Sequence, residues 1–321
     1  MKLSAPGKVL WVGRYSVVFG GISHVIAVDK RATCEIEDAN ERIFETSVGV
    51  FKGKGNELIE SVIKVLEEKF GDLGNFKVKL YNQEGFYIDG KKTGLGSSSA
   101  STVALTACLY ARLNGGKINK DEIYKLAQKA NYIRQKGIGS GFDIAAAVFG
   151  SIIYRRFNDI EKVDSYQESL EIPSKYEMIL GYTGRSSSTV DLVKRFVDRS
   201  NDPRFKEYME LIERENQMVI KYLKMGDLDN LIPHLELANR LLNSLSKEIV
   251  GVEIESERDR KLIGIAVENG AAVALSPGAG GGDSLFVLGE DLSEVRKKWS
   301  ELGLKIIPIK QDSGLRVEDD A

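Results

Sequence analysis

A glycine- and serine-rich segment, Gly94-Leu95-Gly96-Ser97-Ser98-Ser99-Ala100, leads directly into an alanine- and leucine-rich helix predicted over Ser98–Leu113. Glycines let main-chain NH groups approach an anion closely, and Ser97 or Ser98 can cap the helix. The NH groups of the first turn and the helix dipole favour a phosphate group at this position. The plain alternative is a glycine turn with a serine cap and no ligand. Neither a Walker P-loop nor a dinucleotide Gly-x-Gly-x-x-Gly fingerprint occurs in the chain.

Charged residues adjoin this loop or other short glycine segments. Lys91-Lys92 lies just before the loop, Lys8 follows Pro6-Gly7, and Asp143 ends the segment Gly139-Ser140-Gly141-Phe142-Asp143. Considered alone, Lys8 would be expected to be a solvated surface lysine, and Asp143 would be expected to cap a helix. Together with the loop, they favour phosphate binding.

The overall charge and composition exclude several classes of protein. The 321-residue chain carries 45 Lys and Arg against 47 Asp and Glu, a formal net charge of −2, so it lacks the basic excess of a nucleic-acid binder or a polybasic membrane-surface protein. Two cysteines, Cys34 and Cys108, indicate a reducing compartment, and two histidines are too few for a histidine-rich metal site. The chain opens without an apolar targeting segment, and no uncharged apolar run reaches about 18 residues. We therefore expect a cytoplasmic protein that binds neither nucleic acid nor membrane.

The distribution of periodic segments predicts a two-domain α+β protein. A polar stretch from Asp159 to Lys175 marks the boundary, so the domains are expected at residues 1–172 and 173–321. Strands and helices are mixed in both halves without regular βαβ alternation, which indicates α+β. Two segments of the first domain, Phe76–Tyr81 and Gly85–Asp89, are expected to form a strand pair.

Three segments in order resemble the motifs of the GHMP kinases: Pro6–Gly21, Lys92–Ser101 and Ser276–Asp283. The resemblance spans the whole chain. It implies an N-terminal mixed α/β domain with a nucleotide loop, a C-terminal α+β domain of ferredoxin-like topology that completes the substrate site, and the use of ATP and Mg²⁺.

The resemblance also implies roles for individual residues. The catalytic group comprises Lys8, Lys92 and Asp143. The nucleotide-binding residues are Gly94, Leu95, Gly96, Ser97, Ser98 and Ser99, with Ser98 also expected at the metal. The substrate-binding residues are Tyr15, Ser140, Gly141, Arg185, Ser187, Ser188, Thr189, Gly281 and Asp283.

Two positions depart from the family pattern. Arg14 follows the first-motif glycine where many relatives carry a glutamate. Eleven residues before Asp143, where mevalonate kinases place a magnesium-ligating glutamate, this chain has Tyr132, beside Asn131. A magnesium ion is therefore expected to be held by Ser98, the ATP phosphates and water, because this ion keeps several waters and needs few protein ligands.

Details of four loops resemble the members of the family that convert 5-phosphomevalonate to 5-diphosphomevalonate in the mevalonate pathway of isoprenoid biosynthesis. These loops are Lys92–Ser98, Gly137–Val148, Gly181–Thr189 and Gly278–Asp283. Two phosphoryl groups must then meet, and each pair of unit like charges at 4 Å costs about 4 kcal/mol at an effective dielectric constant of 20. Lys8, Lys92 and the magnesium ion are expected to offset that repulsion.

Some alternatives stay open at this point. The same fold includes kinases of mevalonate itself and ATP-dependent decarboxylases, and a member that only senses a ligand is a non-enzyme alternative. Asp143 is a general base if the acceptor is an alcohol, whereas it orients groups if the acceptor is an ionised phosphate. The chain is expected to be a monomer or a homodimer, and the sequence does not decide between them.

Overall fold

The computed structural model describes residues 1–318, which form two large β-sheets with helices packed against them and one two-stranded sheet. The larger sheet has eight strands in the order β14-β1-β2-β5-β3-β4, and β8 pairs with β2 and with β9. All of its pairings are antiparallel except β3 with β5. Its strands are β1 Lys2–Val12, β2 Ser23–Asp38, β3 Ile43–Thr46, β4 Gly49–Lys52, β5 Phe76–Asn82, β8 Ile152–Arg155, β9 Tyr166–Ser169 and β14 Arg316–Val317.

Four helices and a small hairpin complete the N-terminal part. Helix α2 packs against β1, β2 and β5, and nearly all its side chains from Ser99 to Ala111 are buried. Small residues dominate this helix, which lets it approach the sheet closely. The helices are α1 Glu57–Phe70, α2 Ser97–Leu113, α3 Lys120–Arg134 and α4 Phe142–Phe149, and the hairpin strands are β6 Tyr87–Ile88 and β7 Lys91–Lys92.

The smaller sheet is antiparallel, with the strand order β11-β12-β10-β13. This is the order of a ferredoxin-like βαββαβ unit, with four helices in its first crossover. The strands are β10 Glu177–Tyr182, β11 Val273–Leu275, β12 Ser284–Gly289 and β13 Lys305–Ile309, and the helices are α5 Thr189–Asp198, α6 Pro203–Lys224, α7 Leu228–Leu245, α8 Glu257–Glu268 and α9 Ser293–Glu301.

The two sheets share an apolar core and the end of the chain. Trp11 of β1 lies 6.4 Å from Phe286 of β12, ring centroid to ring centroid, within one buried cluster. After β13 the chain returns to the first sheet, where β14 pairs with β1. The buried Arg31 side chain holds this return by donating to the carbonyl oxygens of Ser313 (2.8 Å) and Gly314 (2.6 Å). The return of the chain therefore ties the C-terminal lobe, built on the smaller sheet, to the N-terminal lobe, built on the larger one.

The structure confirms the mixed α+β class and the helix predicted over Ser98–Leu113, which begins one residue earlier, at Ser97. In the second half of the chain, Asp227 caps α7, and Ser256 and Asp259 form a capping box at the start of α8. The predicted pairing of Phe76–Tyr81 with Gly85–Asp89 is wrong.

Instead, β5 pairs with β2 and β3, while β6 pairs with β7. The β5 positions alternate between buried and exposed, so its apolar side chains reach the main core only beside the long central strand β2. The division at residue 172 stays a prediction, and the last three residues of the second predicted domain, 319–321, lie outside the described part. Within residues 1–318, no helix combines the length and apolar character needed to cross a membrane.

Candidate active site

A cleft of about 360 Å³ lies between the two lobes, and the residues of the predicted nucleotide loop form one wall of it. A smaller chamber of about 80 Å³ adjoins the cleft and shares Lys8, Gly94 and Asp283 with it. Fifteen of the eighteen residues singled out in the sequence line one or both: Lys8, Tyr15, Lys92, Gly94, Leu95, Gly96, Ser97, Ser98, Ser99, Ser140, Asp143, Ser187, Ser188, Thr189 and Asp283.

The start of α2 presents main-chain NH groups to this cleft. Gly94 and Gly96 adopt φ angles of 89° and 77°, which favour glycine, and Gly96 is the N-cap residue. The expected serine cap is absent, since no side chain caps this helix among the described residues, and the Ser97 hydroxyl pairs instead with Tyr87 Oη at 3.0 Å. The first-turn NH groups therefore stay available for an anion.

Lys8 is held against this loop by two hydrogen bonds. Its Nζ donates to the Gly94 carbonyl oxygen at 2.8 Å, and its main-chain NH donates to that of Leu95 at 2.8 Å. Burial lowers the pKa of Lys8, the carboxylates of Asp143 and Asp283 oppose that shift, and the Lys92 ammonium adds to it. A poorly hydrated ammonium with a fixed position gains most from a bound anion.

Asp143 lies in the first turn of α4, across the cleft from Lys8. The Ser99 hydroxyl donates to Asp143 Oδ2, and the Ile144 NH donates to Oδ1 at 3.0 Å. The carboxylate is thus tied to the first turn of α2 and to its own helix. Its position, in the same cleft as the loop and Lys8, suits the orientation of a bound phosphoryl group.

Asp283 belongs to the C-terminal lobe and lines the cleft together with Lys8 and Lys92. Its backbone has a φ of 55°, its carbonyl oxygen accepts from the Thr183 NH (2.9 Å), and its Oδ1 accepts from the Ser187 NH (3.3 Å). Burial raises the pKa of Asp283, whereas the Ser187 NH and the ammonium groups of Lys8 and Lys92 lower it. Asp283 therefore balances part of the positive charge between the lobes.

The smaller chamber is closed by the glycine loop 278–282. Tyr15 stacks on Phe196, with ring centroids 3.8 Å apart, and its hydroxyl donates to the Ala279 carbonyl oxygen. Ser187 Oγ donates to the Gly280 carbonyl oxygen at 2.9 Å, and Ser188 accepts from the Asp191 NH as the N-cap of α5. These contacts give the predicted substrate residues of the C-terminal lobe a rigid frame.

Three of the predicted substrate residues do not line the cleft or the chamber. Gly141 is the N-cap of α4, and its carbonyl oxygen accepts from Gln128 Nε2 at 2.8 Å. The Arg185 side chain, 51% exposed, lies 3.2 Å from Ser256 Oγ and 3.7 Å from Asp259 Oδ1. Gly281 donates its NH to the Ile254 carbonyl oxygen at 2.7 Å. Their direct contact with a substrate stays a prediction that these positions do not support.

The structure adds residues that the sequence analysis did not assign to the site. Phe142 lines both spaces, and Lys8 Nζ lies 5.8 Å from its ring centroid. Arg134, the last residue of α3, lines the cleft, whereas Tyr132 packs against Phe157 with ring centroids 5.9 Å apart. The available signal for Arg134 was a cation shortly before the glycine segment that carries Asp143.

Oxygen donors for a metal ion are few in this cleft. Residues 1–318 contain no group of three or more His, Cys, Asp and Glu side chains able to hold an ion. The Ser98 hydroxyl and the Asp143 carboxylate line the cleft together. One carboxylate with a hydroxyl fits a magnesium ion that arrives with a nucleotide, because the phosphates and water supply its other ligands.

Known proteins resemble this chain in sequence and in fold. Residues 57–151 match the GHMP kinases N terminal domain and residues 219–305 match GHMP kinases C terminal. The phosphomevalonate kinase of Saccharolobus solfataricus is 56% identical over 324 aligned residues, which cover all of both chains. A Lin0012 protein of Listeria innocua has the same fold, with a TM-score of 0.87, 23% identity and full coverage of both chains. So does the Streptococcus pneumoniae phosphomevalonate kinase solved with phosphomevalonate and AMPPNP, with a TM-score of 0.82, 20% identity and coverage of 97% of this chain and 100% of that one.

Proposed function

Because the chain belongs to the GHMP kinase family, we propose that it transfers the γ-phosphoryl group of ATP to 5-phosphomevalonate. The products are 5-diphosphomevalonate and ADP, and the reaction is a step of the mevalonate pathway of isoprenoid biosynthesis. The observation that carries this proposal is the 56% identity to a phosphomevalonate kinase over the entire length of both chains. The cleft supports it independently, because its cations suit two phosphate-bearing substrates.

The acceptor phosphate and the transferred phosphoryl group repel each other. Lys8 and Lys92 both line the cleft, and both act on the pKa of Asp283, so the three charges lie close together. Removing one positioned cation or hydrogen-bond donor of this kind typically lowers kcat by about 100- to 1000-fold. We assign Lys8 and Lys92 to this charge stabilisation, and the first-turn NH groups of α2, with Ser97, Ser98 and Ser99, to the phosphates of ATP.

The transfer itself needs no strong base. An oxygen of the acceptor phosphate attacks the γ-phosphorus, a new P–O bond forms, and the bond to the bridging oxygen of ADP breaks with its electron pair. A phosphate monoester with a second pKa near 6 is mostly a dianion at pH 7 and has no proton to lose. Asp143, fixed by Ser99 and the Ile144 NH, therefore orients the bound phosphate groups, and its carboxylate opposes the lowering of the Lys8 pKa.

A magnesium ion bound with ATP neutralises charge on the phosphate oxygens. Ser98 and Asp143 are the residues of this cleft that would hold it, and Ser98 is the ligand expected from the sequence. Tyr15, Ser140, Ser187, Ser188, Thr189 and Asp283 are proposed to surround the acceptor, since all of them line the cleft or its inner chamber.

An acceptor panel tests this function. The purified chain with ATP and Mg²⁺ is given mevalonate, 5-phosphomevalonate, 5-diphosphomevalonate, homoserine or galactose. ADP, inorganic phosphate and carbon dioxide are followed separately. We expect stoichiometric ADP and 5-diphosphomevalonate with 5-phosphomevalonate alone.

The other results each contradict the proposal in a distinct way. Turnover of mevalonate alone would make the protein a kinase of the alcohol. Carbon dioxide and inorganic phosphate together would make it a decarboxylase. ATP binding without turnover of any acceptor would indicate a ligand sensor.

A further inference from the structure

The cleft carries a third cation that the mechanism above does not use. Its charged lining residues are Lys8, Lys92 and Arg134 against Asp143 and Asp283. Without Arg134 the lining would have no net side-chain charge, although it must receive two anionic substrates. The surplus positive charge of the site therefore depends on this arginine.

Arg134 has few partners of its own. Its Nη2 donates to Asn131 Oδ1 at 2.8 Å, whereas its Nε is buried and has no hydrogen-bond partner. Among residues 1–318 no carboxylate oxygen lies within 4 Å of its guanidinium. A partly buried guanidinium without a counter-ion retains most of its capacity to bind an anion.

The Asn131 side chain fixes the direction of this guanidinium. Asn131 is buried, and its Nδ2 donates to Gln135 Oε1 at 3.2 Å, so its Oδ1 is turned towards Arg134. Asp143 is the carboxylate that most raises the pKa of Arg134, against the stronger lowering by burial. Arg134 and Asp143 line the same cleft.

We propose that the Arg134 guanidinium binds the terminal phosphoryl group of ATP. The cleft has few carboxylates to hold a metal ion firmly, and Arg134 supplies positive charge that such an ion would otherwise provide. This inference rests on the proposed function only in taking ATP as the occupant. A guanidinium offers planar paired donors to two phosphate oxygens, which matches a terminal phosphoryl group better than a single ammonium does.

The competing explanation is purely structural. Arg134 is the last residue of α3, and a cation there interacts favourably with the helix dipole. That role would change the melting temperature and leave nucleotide affinity alone. Arg112 provides a matched control, because it is also an arginine in the last turn of a helix of the same lobe and does not line the cleft.

Calorimetric titration of ATP, ADP and AMP separates the two roles. Wild type, Arg134→Gln, Arg134→Lys and Arg112→Gln are titrated in EDTA and again with Mg²⁺, and each variant is also melted. We expect Arg134→Gln to weaken ATP binding in EDTA by about 10- to 100-fold, as for loss of a charge-assisted hydrogen bond, and ADP and AMP binding much less. Arg134→Lys should fall between wild type and Arg134→Gln, and Mg²⁺ should reduce the defect.

Several results would overturn the inference. Equal losses for ATP and ADP would place the contact on an inner phosphate, and unchanged ATP affinity with a lower melting temperature would leave only the helix-end role. Failure of the proposed function looks different: ATP binding would depend on Arg134 while no acceptor, 5-phosphomevalonate included, would be turned over.

Discussion

The Ser99 hydroxyl donates a hydrogen bond to the Asp143 carboxylate, and this contact joins the first turns of α2 and α4. One helix start presents NH groups to the cleft, and the other carries the acid. The contact therefore fixes the acid relative to the glycine loop before any substrate binds.

Asp143→Asn should retain measurable activity. The amide keeps the size of the side chain and its acceptor oxygen, and an ionised phosphate acceptor needs no general base. We expect kcat with 5-phosphomevalonate to fall by less than about 100-fold, the lower end of a general base's contribution. Steady-state kinetics, with ATP affinity and melting temperature measured alongside, check this. Complete loss of turnover in a folded variant with normal affinities would assign the base role to Asp143.

The adjacent residues Lys91 and Lys92 offer a matched pair of charge deletions. Lys92 lines the cleft, whereas Lys91 lies outside the lining, its Nζ 3.4 Å from the Gly184 carbonyl oxygen. Lys92→Met should lower kcat/KM for 5-phosphomevalonate by about 100-fold, because a cation between two anions is lost. The kcat/KM of Lys91→Met should stay within about twofold of the wild-type value, as expected for loss of a surface charge. Equal losses in both variants would point to long-range charge and not to a contact made by Lys92.

Gly96→Ala should impair catalysis by displacing Lys8. A Cβ at Gly96 would lie 2.9 Å from Lys8 Cε, and the φ of 77° adds backbone strain. Gly74 is the control, because its φ is 75° and a Cβ there would meet nothing within 4 Å. Both alanine variants should lose about 1 kcal/mol of folding stability from the positive φ. Only Gly96→Ala should lower kcat, because the displaced Lys8 no longer stabilises the transferred charge. Similar kcat values in the two variants would refute the displacement.

His24 should make the fold sensitive to mild acid. Trp11 Nε1 donates to His24 Nδ1 at 2.8 Å, and His24 Nε2 lies 2.7 Å from the Leu170 carbonyl oxygen, so the neutral ring with its proton on Nε2 satisfies both contacts. Burial lowers the pKa of His24 from 6.5 to about 4, and the Leu170 carbonyl opposes the shift. Because the unfolded chain takes up the proton first, this stabilisation is complete above pH 6.5 and is lost as the pH falls towards 4.

Urea unfolding from pH 7 to pH 5 measures the effect of His24. The stability advantage of wild type over His24→Gln should shrink by about 2 kcal/mol over this range, while the carboxylates contribute equally to both proteins. A constant difference across the range would mean that the ring is not held neutral.

The sequence predicted a large part of this site because its motifs are local. Gly94–Ser99 needs only its own glycines and the helix that follows to leave its NH groups uncapped, and Asp227 or Ser256 caps a helix from within a few residues. Contacts between distant segments left no such signal. Two such contacts are the return of residues 311–317 to β1 and the pairing of β5 with β2 and β3. Both depend on which apolar surfaces of the assembled fold remain exposed until these segments bury them.

What the sequence determined by itself is the family, several helix starts and the residue types proposed to handle phosphate, since these follow from residue kinds at short spacing. What the tertiary structure decided is which of those residues meet. It directs Lys8 to the Gly94 carbonyl oxygen and brings Asp283 across from the other lobe, whereas Arg185 lies beside Ser256 and Asp259, outside the cleft. It also turns Arg134 into the cleft. The physical reason is that packing within and between the two lobes sets distances between residues 70 or more positions apart, and no local pattern encodes those distances.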